Sequence, residues 1–293
     1  MRRILTLFLA ALLAISIAGG ARAEVVTDMM GDEVALPESR ERVVSLSPAM
    51  TEIIFALGLG DRLVGVDSYS DYPPEAAGMP VAGDYSGPNL ELIISLQPDI
   101  VFASNKLQAD AIAQMNALGI SVLAMEPTGY AGIYDCIELT ALVLEADAGE
   151  LLDGMKARQA AVEAAAAGIA DSKKVYYALS FGEFGDWSAG PGTFVHDMIV
   201  MAGGINVAQD APYPWIMYTL EQIAADDPDV IIVGTYGFPG VADELAATPG
   251  YDGLRAVAQG MVFEVNGDAI SRPGPRIVEA LEAISGILLS LEG

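Results

Sequence analysis

NLELIISLQPDIVFA, residues 89–103, decides the fold, because the chain carries a second version of it, TLEQIAADDPDVIIV, at residues 219–233. Leu, Glu, Ile, Pro and Asp stand at matching positions. Each copy predicts a short helix that begins at a capping residue, Asn89 or Thr219, followed by a Pro–Asp break and a buried apolar strand. Two similar α/β lobes are therefore expected, with Glu91 and Glu221 at equivalent places on them.

The remaining segments alternate between predicted strands and predicted helices. Val25–Met30 and Glu33–Leu36 flank a Gly-Asp turn and predict a hairpin. Ser47 is expected to cap a helix that has Pro48 in its first position. Alternating strands and helices are typical of a mainly parallel sheet with helices on both faces. We predict an α/β protein with a first lobe at residues 24–145 and a second lobe at residues 172–293.

Residues 146–171 separate the two lobes and contain no proline. Ala, Leu, Glu and Met dominate this segment, which predicts a helix from about residue 148 to residue 170. At the usual rise it would be roughly 33 Å long, about one domain diameter. We interpret it as a rigid helix that connects the lobes. The alternative is an ordinary packing helix of the second lobe.

The first 23 residues have the pattern of a secretory signal. Arg2 and Arg3 precede an apolar run, and Ala21-Arg22-Ala23 is a small-x-small cleavage site. We expect cleavage before Glu24 and export of the mature chain. No lipobox cysteine follows, so we expect no lipid anchor.

The chain is strongly acidic. Its net charge is −26, and loss of the signal would leave 11 basic against 40 acidic residues, a net charge of −29. Such a surface repels nucleic acid. It is interpreted first as a solubility surface, although it could also steer the protein onto a basic partner. Cys136 is the single cysteine, so no internal disulfide is possible.

Catalytic signatures are weak. His196 is the only histidine, which excludes histidine-rich metal clusters and leaves one candidate base for a triad. The sequence contains no GxGxxG and no GxxxxGK[ST] motif. A hydrolase that uses only carboxylates stays open as an alternative, but no pair among the forty acids is singled out.

Aromatic residues instead mark the predicted loops and strand ends. Ligands of α/β proteins bind at strand-end loops, where Tyr and Trp offer flat apolar area with a polar tip. Their distribution over both lobes predicts a cleft for a large flat ligand, although such residues also cover cores. The residues concerned are Tyr69, Tyr72, Tyr85, Trp187, Tyr213, Trp215 and Tyr218.

A predicted polar loop from Gly267 to Arg276 completes this pattern. Asp268 and Arg272 could hydrogen-bond a ligand. The alternative is an Asp268–Arg272 pair that fixes the loop, which would also leave both available to a ligand. Arg276 is expected to form a structural ion pair.

Several motifs resemble one family. RVVSLSPAMTEIIFALGLGDRLVGVDSYSDYPPEA at 42–76, the unit at 89–104, WSAGPGTF at 187–194, PWIMYTLEQI at 214–223 and GDAISRPGPR at 267–276 are similar to the exported solute-binding proteins of cobalamin, haem and iron–siderophore ABC importers. The resemblance covers nearly the whole mature chain. It implies the class III periplasmic binding protein fold, in which two Rossmann-like lobes are joined by one long backbone helix, with limited lobe closure.

Within this family the resemblance is greatest to the members that bind vitamin B12. It implies corrinoid-contacting aromatics at Tyr69, Tyr85 and Trp215, with Trp187 in a similar loop, and polar contacts from Asp268 to Arg272. Tyr85 and Ser104 stand where those proteins have Trp, which thins the aromatic wall.

The resemblance also implies partners. Glu91 and Glu221 match the two glutamates that meet arginines on the permease, so we expect docking to an ABC permease dimer with its ATPase. The alternative for each glutamate is a purely structural role, in which an acid at the helix start interacts favourably with the helix dipole and stabilises the helix by about 0.3–1 kcal/mol. We expect a monomer located in the periplasm or on the outer face of the cell envelope.

Charge favours a corrinoid as the transported ligand. Haem and ferric siderophores are negatively charged and usually need several basic residues, whereas the predicted cleft offers chiefly Arg272. A corrinoid presents amides, which suit Tyr, Ser and Asp. Haem stays an alternative because Tyr85 could serve as an axial ligand, and a siderophore is a further one. No enzymatic activity and no resident cofactor or metal are expected.

Overall fold

The computed structural model describes residues 24–84, 87–104 and 109–292. The predicted signal at 1–23 and Tyr85 therefore lie outside the described residues. The chain begins with the predicted hairpin, in which β1 (Val25–Thr27) pairs antiparallel with β2 (Glu33–Ala35). The Asp28 carboxylate accepts hydrogen bonds from the amides of Met30 and Asp32 and so closes the turn.

The first lobe contains a six-stranded sheet in the order β6-β5-β4-β3-β7-β8. All neighbouring pairs are parallel except β5 with β6, as the alternation of strands and helices predicts. The strands are β3 (Val43–Ser45), β4 (Leu63–Asp67), β5 (Val81–Asp84), β6 (Gly87–Pro88), β7 (Ile100–Ala103) and β8 (Ser121–Ala124). Its helices are α1 (Pro48–Ala56), α2 (Leu90–Leu96), α3 (Ala109–Ala117) and α4 (Ala131–Val143).

Helix α1 begins where predicted but without the expected side-chain cap. Ser47 is extended at the N-cap position, yet its hydroxyl makes no capping hydrogen bond. Its carbonyl instead accepts from the Thr51 amide and from the Ser45 hydroxyl. Pro48 supplies the helical φ at the first position.

The second lobe contains a four-stranded parallel sheet in the order β11-β9-β13-β14 and a separate two-stranded ribbon of β10 and β12. The strands are β9 (Lys174–Ala178), β10 (Asp186–Ala189), β11 (Ile205–Asn206), β12 (Trp215–Tyr218), β13 (Val230–Thr235) and β14 (Val262–Asn266). Its helices are α6 (Phe194–Met201), α7 (Leu220–Asp226), α8 (Val241–Ala247), α9 (Arg255–Ala258), α10 (Gly267–Ser271) and α11 (Ile277–Ser290).

The sequence repeat is a structural repeat. Helices α2 and α7 each have seven residues, and the side chains of Asn89 and Thr219 cap them as predicted. Both helices end at a residue in the left-handed region with φ 48°, Gln97 and Asp227. A buried central strand, β7 or β13, follows in each copy.

Each copy of the repeat also contains a side-chain-to-backbone hydrogen bond that the sequence did not reveal. In each copy the Asp of the Pro–Asp pair accepts the backbone N–H at the start of the neighbouring strand. Asp99 binds the amide of Arg42 at 3.0 Å, next to β3, and Asp229 binds the amide of Lys174 at 2.8 Å, in β9. These carboxylates therefore fix the register between adjacent parallel strands.

Helix α5 (Gly149–Ala166) lies between the two lobes in the chain. Its 18 residues are roughly 27 Å long, shorter than predicted because the helix ends before Gly168. The helix packs against α11, and Arg158 pairs there with Glu282. One continuous apolar core reaches from the first sheet through α5 into the second sheet. Lobe movement is therefore restricted, although the predicted boundaries at 145 and 172 stay predictions.

Candidate ligand-binding cleft

A cavity of about 250 Å³ lies between the two lobes. Its first-lobe wall comes from segments that follow strands of the six-stranded sheet, including Ser47, Ser104 and Met125. Its second-lobe wall includes Phe194, Trp215 and Ser271. The carboxyl ends of parallel strands thus border an inter-lobe cleft, which is where ligands of α/β proteins bind.

The loop after β4 bears Tyr69 and brings Asp71 into contact with Arg272 of the second lobe. A chain of buried hydroxyls anchors this loop: Thr51 Oγ1 lies 2.8 Å from Ser45 Oγ and 2.8 Å from Ser70 Oγ. Ser70 donates in turn to the Asp67 carboxylate. Burial raises the pKa of Asp67, although the Ser70 hydrogen bond and the charge of Arg272 work against this rise. The base of the loop is therefore fixed while its tip stays accessible.

The predicted polar loop is wrong over residues 267–271, which form the short helix α10. The Asn266 side chain caps this helix by accepting the Ala269 amide. Asp268 and Arg272 consequently stand four residues apart on one face, and their side chains pair at 2.7 Å. The predicted internal pair is present, and it also presents Arg272 to the first lobe.

Arg272 reaches across the cleft. Its Nη1 donates to Asp71 Oδ1 at 2.7 Å and lies 3.5 Å from Glu52 Oε1. Burial works to raise the pKa of Asp71, but the hydrogen bond and the positive charge of Arg272 outweigh it, and the pKa falls below its ordinary value. The guanidinium is 12% exposed and already has carboxylate partners from both lobes.

The structural ion pair expected of Arg276 is also present. Its Nε and Nη2 donate to the two oxygens of Glu52 at 2.8 and 2.6 Å. The Glu52 hydrogen bond raises the pKa of Arg276. The guanidinium lies over the Tyr72 ring, 4.0 Å from its centroid. This pair joins α1 of the first lobe to the start of α11.

Trp187 lies in a strand rather than in the predicted loop, whereas Trp215 lies at a strand end, as predicted. Trp187 is in β10 and Trp215 in β12, because these extended segments pair as a ribbon. Trp187 is opposite Met217 and Trp215 is opposite Ala189, so both indoles are on the same ribbon face. Trp215 lines the inter-lobe cavity and contacts Phe194 edge to face, with centroids 6.2 Å apart.

The expected aromatic wall does not surround a single enclosed cavity. Tyr69 is 56% exposed and lines a separate depression of about 590 Å³ on the first lobe, beside Asn89. The loop that bears Tyr69 meets the second lobe through Asp71 and Arg272. Tyr85 lies outside the described residues.

One exposed aromatic beside α10 escaped the sequence analysis. Tyr236 follows β13, is 47% exposed, and packs on Gly267, where a Cβ would lie 2.8 Å from its Cε1 atom. The ring is thus one residue from Asp268. Phe184 and Phe238, which follow β9 and β13, are also exposed. The signal in the sequence for Tyr236 was an aromatic directly after a predicted strand.

Residues considered for catalysis have structural partners. His196 Nδ1 lies 3.0 Å from Asn206 Nδ2, which also donates to the Ala189 carbonyl. Burial raises the pKa of the Cys136 thiol to about 12, so it is not a nucleophile at neutral pH. Among the residues that the structure describes, no cluster of His, Cys, Asp or Glu could hold a metal.

Glu91 and Glu221 occupy matching positions. Each is the second residue of its seven-residue helix, and both are exposed. A hydrogen bond from its own amide lowers the pKa of Glu221, with a further contribution from the Thr219 side chain. The lobes therefore present equivalent negative charges at equivalent helix starts.

Residues 43–269 match the family model of the periplasmic binding proteins, so the chain belongs to this family of solute-binding proteins. It is 34% identical over 250 residues to the vitamin B12-binding protein of Salmonella choleraesuis, which spans 84% of this chain and 90% of that protein. It is 32% identical over 268 residues to an uncharacterized ABC transporter substrate-binding lipoprotein, YvrC, of Bacillus subtilis, which spans 89% and 83% of the two chains.

The fold is likewise similar to that of solved family members. The apo periplasmic heme-binding protein RhuT of Roseiflexus superimposes with a TM-score of 0.75 at 29% identity, covering 87% of this chain and all of that one. The predicted class of fold is confirmed, as is a binding protein of the ABC importer type rather than an enzyme. The hydrolase alternative finds no support. Both a vitamin B12-binding protein and a heme-binding protein are similar to this chain, so the choice of ligand rests on the site rather than on the fold.

The relatives also bear on location. They are periplasmic or lipoprotein substrate-binding proteins, which agrees with the expected export. Within residues 24–84, 87–104 and 109–292, no helix is long and apolar enough to span a membrane.

Proposed function

We propose that the protein captures a corrinoid between its lobes, outside the cytoplasm, and delivers it to an ABC permease dimer with its ATPase. The observation that carries this proposal is the inter-lobe cleft, which Trp215 lines and across which Arg272 pairs with carboxylates of both lobes. Aromatic faces suit a flat macrocycle, and the ion pairs suit its peripheral amides. The identity to a vitamin B12-binding protein supports the same ligand.

The size of the cleft sets how the ligand would sit. Pockets for drug-sized ligands are about 300–1,000 Å³. A corrinoid is larger than the cavity of about 250 Å³, so it would occupy the open mouth, against Tyr69, Trp187 and Trp215, with Asp268 and Arg272 at its edge. The continuous core along α5 supports small lobe adjustments rather than wide closure.

Haem is the second candidate, because a relative of the same fold is a heme-binding protein. A titration of the purified mature protein with cyanocobalamin, haemin and a ferric siderophore, by calorimetry, tests the choice. We expect stoichiometric binding of cyanocobalamin, recovered unchanged. Tight binding of haemin with a tyrosinate-type spectrum, and none of cyanocobalamin, would overturn the ligand.

Delivery is proposed to use Glu91 and Glu221 as paired contacts to basic residues of the permease, one from each lobe. Neither glutamate is needed for ligand capture. The protein is proposed to act as a monomer, to carry no resident cofactor and to enter the envelope after cleavage near Ala23.

A further inference from the structure

The cation of the proposed ligand cleft is neutralised before any ligand arrives. Arg272 contacts Asp268 on its own helix and Asp71 on the opposite lobe, each at 2.7 Å. With Glu52 and Arg276, these groups form a cluster of three carboxylates and two guanidiniums, a net charge of −1. An anionic ligand therefore meets a net negative cluster.

Asp71 differs from the other two carboxylates. Glu52 is buried, and Asp268 is on the same short helix as Arg272. Asp71 is 64% exposed and comes from the loop that also bears Tyr69. It is thus the carboxylate of the cluster that is most accessible to a ligand entering between the lobes.

The Asp71–Arg272 pair can hydrogen-bond a ligand amide, whereas its Asp71 carboxylate repels a ligand carboxylate. A primary amide can donate its N–H to the Asp71 carboxylate while its carbonyl accepts from Arg272. A ligand carboxylate at the same point could accept from Arg272 only by lying beside the like charge of Asp71. Such a like-charge contact disfavours ligands that carry a carboxylate without weakening the binding of ligands that carry an amide.

We propose that Asp71 determines the charge specificity of the cleft, admitting neutral, amide-bearing macrocycles and rejecting those that carry carboxylates. This inference rests on the proposed function for its ligand class. Asp71 acts here as a specificity-determining residue and leaves the aromatic contacts to other side chains.

The test compares ligands that differ only in charge. Cyanocobalamin and its monocarboxylates, in which one peripheral amide is hydrolysed, are titrated against the wild type and Asp71→Asn. Asn keeps the size and an acceptor oxygen but removes the charge. Asp61→Asn is the matched control, because Asp61 is an exposed acid at the other end of β4.

The wild type is expected to bind cyanocobalamin more tightly than the monocarboxylates. Asp71→Asn should reduce this ratio of affinities by about tenfold at low salt, and by less at high salt. The control should keep the wild-type ratio. An unchanged ratio in Asp71→Asn, with cyanocobalamin still bound, would overturn the inference and leave the proposed function standing.

A second pair of ligands distinguishes failure of the proposed corrinoid ligand from failure of the proposed role of Asp71. Haemin and its neutral dimethyl ester, supplied in mild detergent, are titrated against the same three proteins. Binding of haem pigments but no corrinoid would overturn the proposed ligand. The inference would then survive only if the wild type preferred the ester and Asp71→Asn reduced that preference.

Discussion

The Glu52 carboxylate and the Arg276 guanidinium are joined by two hydrogen bonds, of 2.6 and 2.8 Å, across 224 positions of sequence. Glu52 is 3% exposed and belongs to the first lobe, whereas Arg276 precedes the last helix of the second. Because both side chains are largely shielded from water, at 12% and 2% exposure, the pair helps to hold the lobes in one relative orientation.

Glu52→Gln should therefore reduce the free energy of unfolding by about 3 kcal/mol, since it leaves a poorly hydrated guanidinium without its counter-charge. Urea denaturation measures the loss. The matched control is Glu282→Gln, which breaks the exposed pair with Arg158 and should cost less than about 1 kcal/mol. Equal losses in the two variants would contradict a structural role for the inter-lobe pair.

The carboxylates of Asp99 and Asp229, which bind the backbone of neighbouring strands, predict that stability depends on pH. Burial alone would raise the pKa of Asp99 and of Asp229. Hydrogen bonds from the Ser39 hydroxyl and the Arg42 amide instead lower the pKa of Asp99. Hydrogen bonds from the Lys174 amide and the Arg255 side chain lower the pKa of Asp229. A lowered folded pKa contributes stability that is present above the unfolded pKa of about 3.9 and is lost as the pH falls through the folded value.

Stability should consequently decline below about pH 4 in the wild type. In Asp99→Asn with Asp229→Asn this decline should be shallower, and stability at pH 7 should be lower. Thermal melts at a series of pH values test both statements. A double variant with the wild-type slope would show that these carboxylates do not support folding through their charge.

Glu91→Arg combined with Glu221→Arg should stop uptake while ligand affinity stays within about twofold, because neither glutamate lines the inter-lobe cavity or the depression beside Tyr69. Transport into vesicles that contain the cognate permease measures uptake, and calorimetry measures affinity. Glu33→Arg with Glu244→Arg changes the net charge equally, at an exposed position on each lobe, and should transport normally. Transport by the first variant at the wild-type rate would refute docking through this pair.

Gly267→Ala should destabilise the protein by about 1–3 kcal/mol and weaken corrinoid binding. The added Cβ would lie 2.8 Å from the Thr235 carbonyl and 2.8 Å from the Tyr236 ring, so α10 and the ring cannot both keep their places. Urea denaturation and titration measure the two effects.

Gly154→Ala is the control, because a Cβ there, within α5, meets no atom within 4 Å. It should stabilise the protein by about 0.5–1 kcal/mol. Unchanged corrinoid affinity in Gly267→Ala would show that Tyr236 and the start of α10 do not contact the ligand.

Local features of this fold were readable from the residues. The caps at Asn89 and Thr219 depend on hydrogen bonds that span only three positions, and the buried strands that follow depend on unbroken apolar runs. The long helix needed only helix-forming residues and no proline. The family resemblance rested on the same local motifs and correctly indicated the two-lobed fold.

Pairings over long sequence separations were not readable in this way. Forty acids and eleven basic residues of the mature chain allow many ion pairs, and only the packing of the lobes selects Glu52 for Arg276 and Asp71 for Arg272. The hydrogen bonds of Asp99 and Asp229 likewise required the strand order, because each partner amide lies at or next to the start of a strand more than fifty residues earlier.

The sequence by itself determined the repeated α/β unit, its capped helices, the connecting helix and the aromatic, acidic character of the chain, because these follow from neighbours within a few turns. The tertiary structure alone decided that Trp187 and Trp215 share a ribbon face, that Tyr236 lies on Gly267, and that Arg272 is neutralised from both lobes. The physical reason is that hydrogen bonds and charge pairs act over a few ångströms, and only folding brings distant residues that close.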